Sequence, residues 1–332
     1  MLSAVRDLLA RVVGEFVATW ALGAVLIMAF LSFNVLFLVW LERKVSAHIQ
    51  RRVGPMEVGP HGTLQTVADM VKLLSKQLLT PVATDRLVYL LSPLLVFFPT
   101  LAVASLIPLG GVEAFADQPY GLLVIVALSG LTVLSVFMGG WASNNKYAVL
   151  GGMRSVAQVI AYEIPILLSA LAVVLIAQTT NLRHLVEAQA NTVWYVVYQP
   201  VAAVLYLISI IAETNRAPFD IPEAESELVG GFHTEYSGMR FAMFFFAEYT
   251  NMLVLGALGA TLFFGGWLGP WLPGPVWLLL KAYAIIFVMM WMRWTYPRLR
   301  FDQLMTFAWK ILIPAALLNL LVTAVLVHGW GR

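Results

Sequence analysis

Residues 213–238 read ETNRAPFDIPEAESELVGGFHTEYSG and separate two apolar runs, YVVYQPVAAVLYLISIIA at 195–212 and MRFAMFFFAEYTNMLVLGALGATLFF at 239–264. Runs of this length match a hydrocarbon core of about 30 Å when coiled as helices. The insert between them holds Glu213, Asp220, Glu223, Glu225, Glu227 and Glu235, in a chain that is only 11% charged. The apolar runs define an integral membrane protein, and the acidic insert asks what function it serves.

The rest of the chain agrees with that frame. Its 332 residues are 61% hydrophobic, above the ~45–50% of soluble domains. The expected fold is an all-α polytopic membrane protein of about eight transmembrane helices in one domain. The spans fall near 16–41, 88–108, 120–141, 157–178, 195–212, 239–264, 276–296 and 308–328. Residues 1–15 carry Arg6 and Arg11 and suit a short interfacial helix. After the first span, Leu64, Val67, Ala68, Val71, Leu74 and Leu78 recur at helical spacing in a polar stretch. That predicts an amphipathic helix over about 61–79, lying on the membrane. Eight spans place both termini on one side. Of the 20 Lys and Arg residues, all but Arg6, Arg11, Arg183, Lys281 and Arg332 fall in or beside the loops near 42–86, 142–156, 213–240 and 293–310. By the positive-inside rule those loops are cytoplasmic and both termini periplasmic, in a bacterial inner membrane.

Cysteine is absent from the sequence, which excludes a cysteine-ligated iron–sulfur cluster or zinc site within this chain. The five histidines lack metal-ligand spacing, so no metal site is expected. There is also no phosphate-binding glycine loop and no dinucleotide fingerprint. No nucleic-acid partner is expected.

Two carboxylates lie inside apolar runs, Glu163 in AYEIP and Glu248 in FFFAEYTN. A charge at mid-membrane costs roughly 2.5–3.5 kcal/mol on insertion scales, so such groups are candidates for proton relay. Pairing to a tyrosine or arginine for helix packing is the other explanation, since Tyr162 and Tyr249 are adjacent in sequence. In the acidic insert, Asp220, Pro222 and Glu223 read as a capping-box helix start, and Gly230-Gly231 as its end. Acids also favour helix N-termini and solvate loops, and the residues alone leave both meanings open. The basic run holding Arg43, Lys44, Arg51 and Arg52 reads equally as a membrane anchor. Asp69 and Lys72, three residues apart, read as a surface pair.

The 213–238 loop closely resembles the signature loop of the H-subunit family of type I NADH:quinone oxidoreductases, whose mitochondrial counterpart is NADH dehydrogenase subunit 1 of respiratory complex I. The stretches ERK…RRVGPMEVGPHGTLQTVADMVKL, from Glu42, and GWASNNKYAVLGGMRSVAQVIAYE, at 140–163, resemble the same family. The resemblance implies a membrane protein that joins a peripheral electron-transfer arm to a membrane arm and couples quinone reduction to proton translocation. Quinone would be the substrate, with FMN and iron–sulfur clusters held by partner subunits. Other partners would be antiporter-like and small membrane-arm subunits, and membrane lipid. Arg43, Arg51, Arg52, Asp69, Lys72, Arg216, Phe219, Phe232 and His233 would line or shape a quinone chamber. Glu163, Glu213, Asp220, Glu223, Glu225, Glu227, Glu235 and Glu248 would form a carboxylate path. Some members carry a further glutamate near position 130, which is glycine here. Related complexes that take electrons from ferredoxin or coenzyme F420 are one alternative, and a self-contained ion transporter is another.

Overall fold

The computed structural model describes residues 15–110, 117–190, 192–222 and 225–330. The interfacial helix expected over 1–15 therefore lies outside the described residues but for its last position. The fold is all-α, without a strand among the described residues. In chain order the helices are α1 (Glu15–Ile49), α2 (Gln65–Ser75), α3 (Arg86–Leu106), α4 (Gly121–Ala142), α5 (Lys146–Ala177), α6 (Leu182–Ala190), α7 (Tyr195–Tyr198), α8 (Pro200–Glu213), α9 (Glu225–Leu228), α10 (Gly238–Phe263), α11 (Gly274–Thr295), α12 (Phe301–Phe307) and α13 (Ile313–Trp330). A π-helical turn at Ala308–Leu312 joins the last two into one continuous rod. Seven helices are long and apolar enough to cross a membrane, and α8 is a shorter apolar helix beside them.

Helix α10 is the centre of the bundle. From Tyr249 to Phe263 every residue but Asn251 is buried, the all-round burial expected of a core helix. Around it pack α1, α3, α8 and α11; α4 and α5 extend the layer beyond α3, and α13 lies against α5. The outward faces remain apolar and exposed, as at Val25, Phe98, Leu134, Val204 and Leu318. Such faces suit lipid, which solvates apolar side chains without cost.

Three of the long apolar elements differ from the sequence expectation, as does the amphipathic helix. Helix α1 runs on through the basic stretch to Ile49, past the expected end at 41. Helix α5 begins at Lys146, eleven residues before the expected 157, and its 32 residues rise about 48 Å. A helix of that length exceeds a ~30 Å core, and its first turns carry Gly151 and Arg154 to the acidic loop and Gly152 to α4. Helix α8 has only 14 residues, about 21 Å. The chain breaks before it at buried Gln199, which donates to Thr323 (2.7 Å) and accepts from Asn319 (2.9 Å). The Gln199 backbone itself stays satisfied within the chain, its amide donating to the Tyr195 carbonyl at 2.8 Å and its carbonyl accepting from the Ala203 amide at 3.0 Å.

The amphipathic helix is shorter than 61–79. A 3-10 turn at Pro60–Gly62 precedes α2, and Val67, Met70, Val71 and Leu74 form an exposed apolar face. Gly62, at φ +73°, passes so near Pro55 that a β-carbon there would lie 2.1 Å from its carbonyl oxygen. In the connection after α10, the Lys281 amine donates to the carbonyls of Phe264, Gly266 and Leu268 (2.6–2.9 Å), capping that helix from α11.

Candidate functional site

At the basic end of the bundle, α1, α10, α11 and the turn after α8 bring four charges together. Glu42 on α1 is buried; it accepts from the Tyr249 hydroxyl at 2.6 Å and from Arg293. Arg216, in the turn after α8, is 5% exposed. Its guanidinium meets Glu248 at 2.8 Å and approaches Glu42 to 3.6 Å. The same guanidinium lies 4.5 Å from the Tyr249 ring centre. Among the described residues two carboxylates thus face two guanidiniums, and their charges balance. Buried ions persist only when paired and hydrogen-bonded in this way.

Arg216, Glu248 and Arg293 of this cluster line a cavity of about 290 Å³, near the low end of small-molecule sites. Its lining includes the charged Glu213, Arg216, Glu248 and Arg293 and the aromatic Phe232, Phe241, Phe244 and Phe245. Thr100, Thr132 and Ser155 extend it between α3, α4 and α5. A cavity lined by both charged and aromatic side chains suits a planar molecule with polar oxygens on an apolar ring.

The acidic loop reaches the cavity through a second layer of contacts. Asp220 does not cap a helix; its carboxylate accepts from Arg298 at 3.1 Å. Burial pushes that carboxyl above its ordinary value, while Arg298 and Arg293 pull it back. Helix α9 begins at Glu225, and the chain leaves it at Val229 (φ +65°), ahead of the Gly230-Gly231 pair. Glu227 pairs with Arg154 of α5 at 2.7 Å. Glu235 accepts from Asn145 at 2.7 Å, and its backbone carbonyl accepts from the Tyr89 hydroxyl at 2.8 Å. Tyr236 stacks on Tyr89 with centroids 4.2 Å apart. Glu223 lies outside the described residues.

The other expected residues divide clearly. Glu163 of α5 accepts from the Ser129 hydroxyl of α4 at 2.5 Å. It does not meet Tyr162, whose hydroxyl donates to the Leu304 carbonyl. Glu213 lies close enough to Glu163 for their charges to interact. Arg216, Phe232 and His233 line the cavity. Phe219 instead packs on Tyr162, with centroids 5.5 Å apart. Asp69 pairs with Arg43 at 2.7 Å, not with Lys72, because α2 turns that face toward α1. Arg51, Arg52 and Lys72 are exposed away from the cavity.

Glu42 and Arg293 fall outside the residues expected from the sequence, yet a signal exists. Leu31, Val35, Leu38 and Glu42 recur on one helical face, as do Ile286, Met289, Met290 and Arg293. The apolar members of both series are buried. Each charge extends a core stripe by one turn.

His233 is held between Phe232 and Phe241 at ring distances of 4.9 and 5.2 Å, and burial lowers it from 6.5 to about 4. The unfolded chain therefore binds that proton first as the pH falls. Its contribution to stability is complete above 6.5 and declines through the window down to about 4. In His233→Gln the thermal midpoint should fall less between pH 7 and pH 5 than in the parent. Parallel curves would show that another group sets the acid limit.

Fold and site together define a polytopic membrane protein with a charge-lined cavity at the basic end of its helices. The sequence profile described as NADH dehydrogenase matches residues 22–324. The chain is 51% identical over 317 residues to the H subunit of the NADH-quinone oxidoreductase of Geobacillus kaustophilus, covering 94% of each chain. It is 50% identical over 311 residues to the H subunit of Brevibacillus brevis, covering 92% of each. Over 303 residues it is 50% identical to an H subunit of Geobacter metallireducens, covering 89% of this chain and 90% of that one. The chain belongs to this family, the H subunits of NADH-quinone oxidoreductase.

Proposed function

We propose that the chain is the membrane component through which an NADH-quinone oxidoreductase receives quinone and couples its reduction to proton translocation. The observation that carries this reading is the Glu42–Arg216–Glu248–Arg293 cluster, three of whose members line a cavity that is also lined by Phe232, Phe241, Phe244 and Phe245. Reduction of a quinone takes up two electrons and two protons. A site whose carboxylates are balanced by arginines responds to that change by shifting protons and ion pairs. Glu213 and Glu248 line the cavity, and Glu163 lies near Glu213, deeper between α4 and α5. These three are the core of the relay; Asp220, Glu227 and Glu235 are tied to Arg298, Arg154 and Asn145 and shape its mouth. Glu223 and Glu225 belong to the same loop, and Arg43, Asp69, Arg51, Arg52 and Lys72 form the outer surface beside α2.

When α8 is counted with the seven long helices, the positive-inside rule supports a cytoplasmic basic end and periplasmic termini in a bacterial inner membrane. Electrons arrive from an iron–sulfur cluster of a peripheral-arm partner, since this chain has no cysteine to hold one. Antiporter-like and small membrane-arm subunits receive the relay's output.

Glu163→Gln should lower quinone-linked proton uptake by roughly 10²-fold, the lower range for a positioned proton-transfer group. Oxidation of NADH by an artificial acceptor should be unchanged. Proteoliposomes of the assembled complex, followed with a pH-sensitive dye, measure both. Full proton uptake in this variant would remove Glu163 from the relay.

A further inference from the structure

We propose that Glu42 is a positioning residue, the fixed counter-charge toward which the Arg216 guanidinium turns when Glu248 takes up a proton. The inference rests on the carboxylate relay proposed above and adds a member and a motion to it.

Arg216 stands between two carboxylates at unequal distances. Its Nη2 is 2.8 Å from Glu248 Oε1, and its Nη1 is 3.6 Å from Glu42 Oε1. The guanidinium is ion-paired with one and within a small movement of the other. The two acids differ in access. Both Glu42 oxygens already accept, Oε2 from Tyr249 and Oε1 from Arg293, and the side chain is 7% exposed and off the cavity wall. Glu248 lines the cavity and is 19% exposed. Glu248 is thus the member that exchanges protons, and Glu42 is the member that stays.

Tyr249 fixes the geometry between them. Its hydroxyl holds Glu42, while its ring lies beside the Arg216 guanidinium. An aromatic face attracts a cation without binding it at one point, so the guanidinium can slide along it. With both carboxylates ionised, the four charges cancel. The neighbouring Asp220 and Arg298 are a second neutral pair on the loop side. A proton on Glu248 removes the attraction at 2.8 Å, and the approach to Glu42 closes into a direct ion pair. Arg216 follows Glu213 by three residues in one tight turn, where the Arg216 amide donates to the Ile211 carbonyl. The motion therefore reports the protonation of Glu248 to Glu213.

The test uses the assembled complex in proteoliposomes, with quinone-linked proton uptake measured as a function of pH. Glu42→Gln commits Arg216 to Glu248 and removes a like charge beside it, so protonating Glu248 demands more acid. The profile should move about one pH unit toward acid, the size expected for one charge at this range. Glu42→Asp keeps the charge but withdraws it by one methylene, so it should show a smaller shift in the same direction. A merely structural Glu42 would lower the yield of complex and leave the profile where it is. An unmoved profile in assembled Glu42→Gln overturns the proposal. If Glu42→Gln fails to assemble, Glu42→Asp decides, because withdrawing the charge by one methylene should still displace the profile; no displacement overturns the proposal. Glu248→Gln separates the two levels. Intact proton uptake in that variant sinks the relay itself, whereas lost uptake there with an unmoved Glu42→Gln profile sinks only the role of Glu42.

Discussion

Replacing Arg216 by methionine is expected to destabilise the folded chain by about 3–5 kcal/mol, the cost of removing one partner from a buried ion pair. Methionine fills much of the volume, so packing changes little. The charge balance does change. Glu42 keeps Arg293 and the Tyr249 hydroxyl, but Glu248 loses the guanidinium at 2.8 Å. Arg216→Lys keeps the charge on a flexible stem and gives up the planar fork that reaches two acids, so it should fall between the two. Thermal unfolding of the detergent-solubilised protein, followed by tryptophan fluorescence, measures the order. A methionine variant as stable as the parent would show that the cluster contributes nothing net to stability.

Gly151→Val is expected to lift the acidic loop from α5. A β-carbon at Gly151 would lie 2.8 Å from the Gly231 α-carbon and 2.9 Å from the Phe232 nitrogen. Both are backbone atoms and cannot rotate aside. Overpacking of this kind costs about 1–3 kcal/mol. The displaced segment carries Phe232 and His233, which line the cavity. Quinone-linked turnover should therefore fall by roughly tenfold or more, equivalent to at least about 1.4 kcal/mol. NADH oxidation by an artificial acceptor should be retained. Gly130→Ala is the control, because a β-carbon there meets nothing within 4 Å. Equal loss in both variants would point to general damage to the bundle rather than to the loop.

The candidate site is partly legible in the sequence. Glu163 and Glu248 stand out because an ionisable residue in an apolar run is costly without a purpose. Glu213, Arg216, Phe232 and His233 come with the acidic insert, and all four line the cavity. Their partners are not legible. Glu248 and Tyr249 are adjacent in the chain, yet helix geometry turns them apart, so Glu248 meets Arg216 while Tyr249 meets Glu42. Asp69 meets Arg43 and not Lys72 for the same kind of reason. Glu42 and Arg293 escape notice because each sits at the end of an apolar run, where charge ordinarily marks the membrane boundary.

What the sequence determined by itself is the class of fold and the side that carries charge. Apolar runs of about 20 residues have few ways to satisfy their backbone in lipid, so helices and their order follow from composition and length. The tertiary structure decided where helices end and which charges meet. Helix α5 is packed closely by the acidic loop at Gly151 and by α4 at Gly152, and the break before α8 is anchored by the Gln199 side chain on Thr323 and Asn319. Glu42 and Arg293 are 251 residues apart in the chain and bonded in the fold. Helical spacing says which face a side chain occupies, but only the rotation and tilt of packed helices say what that face meets.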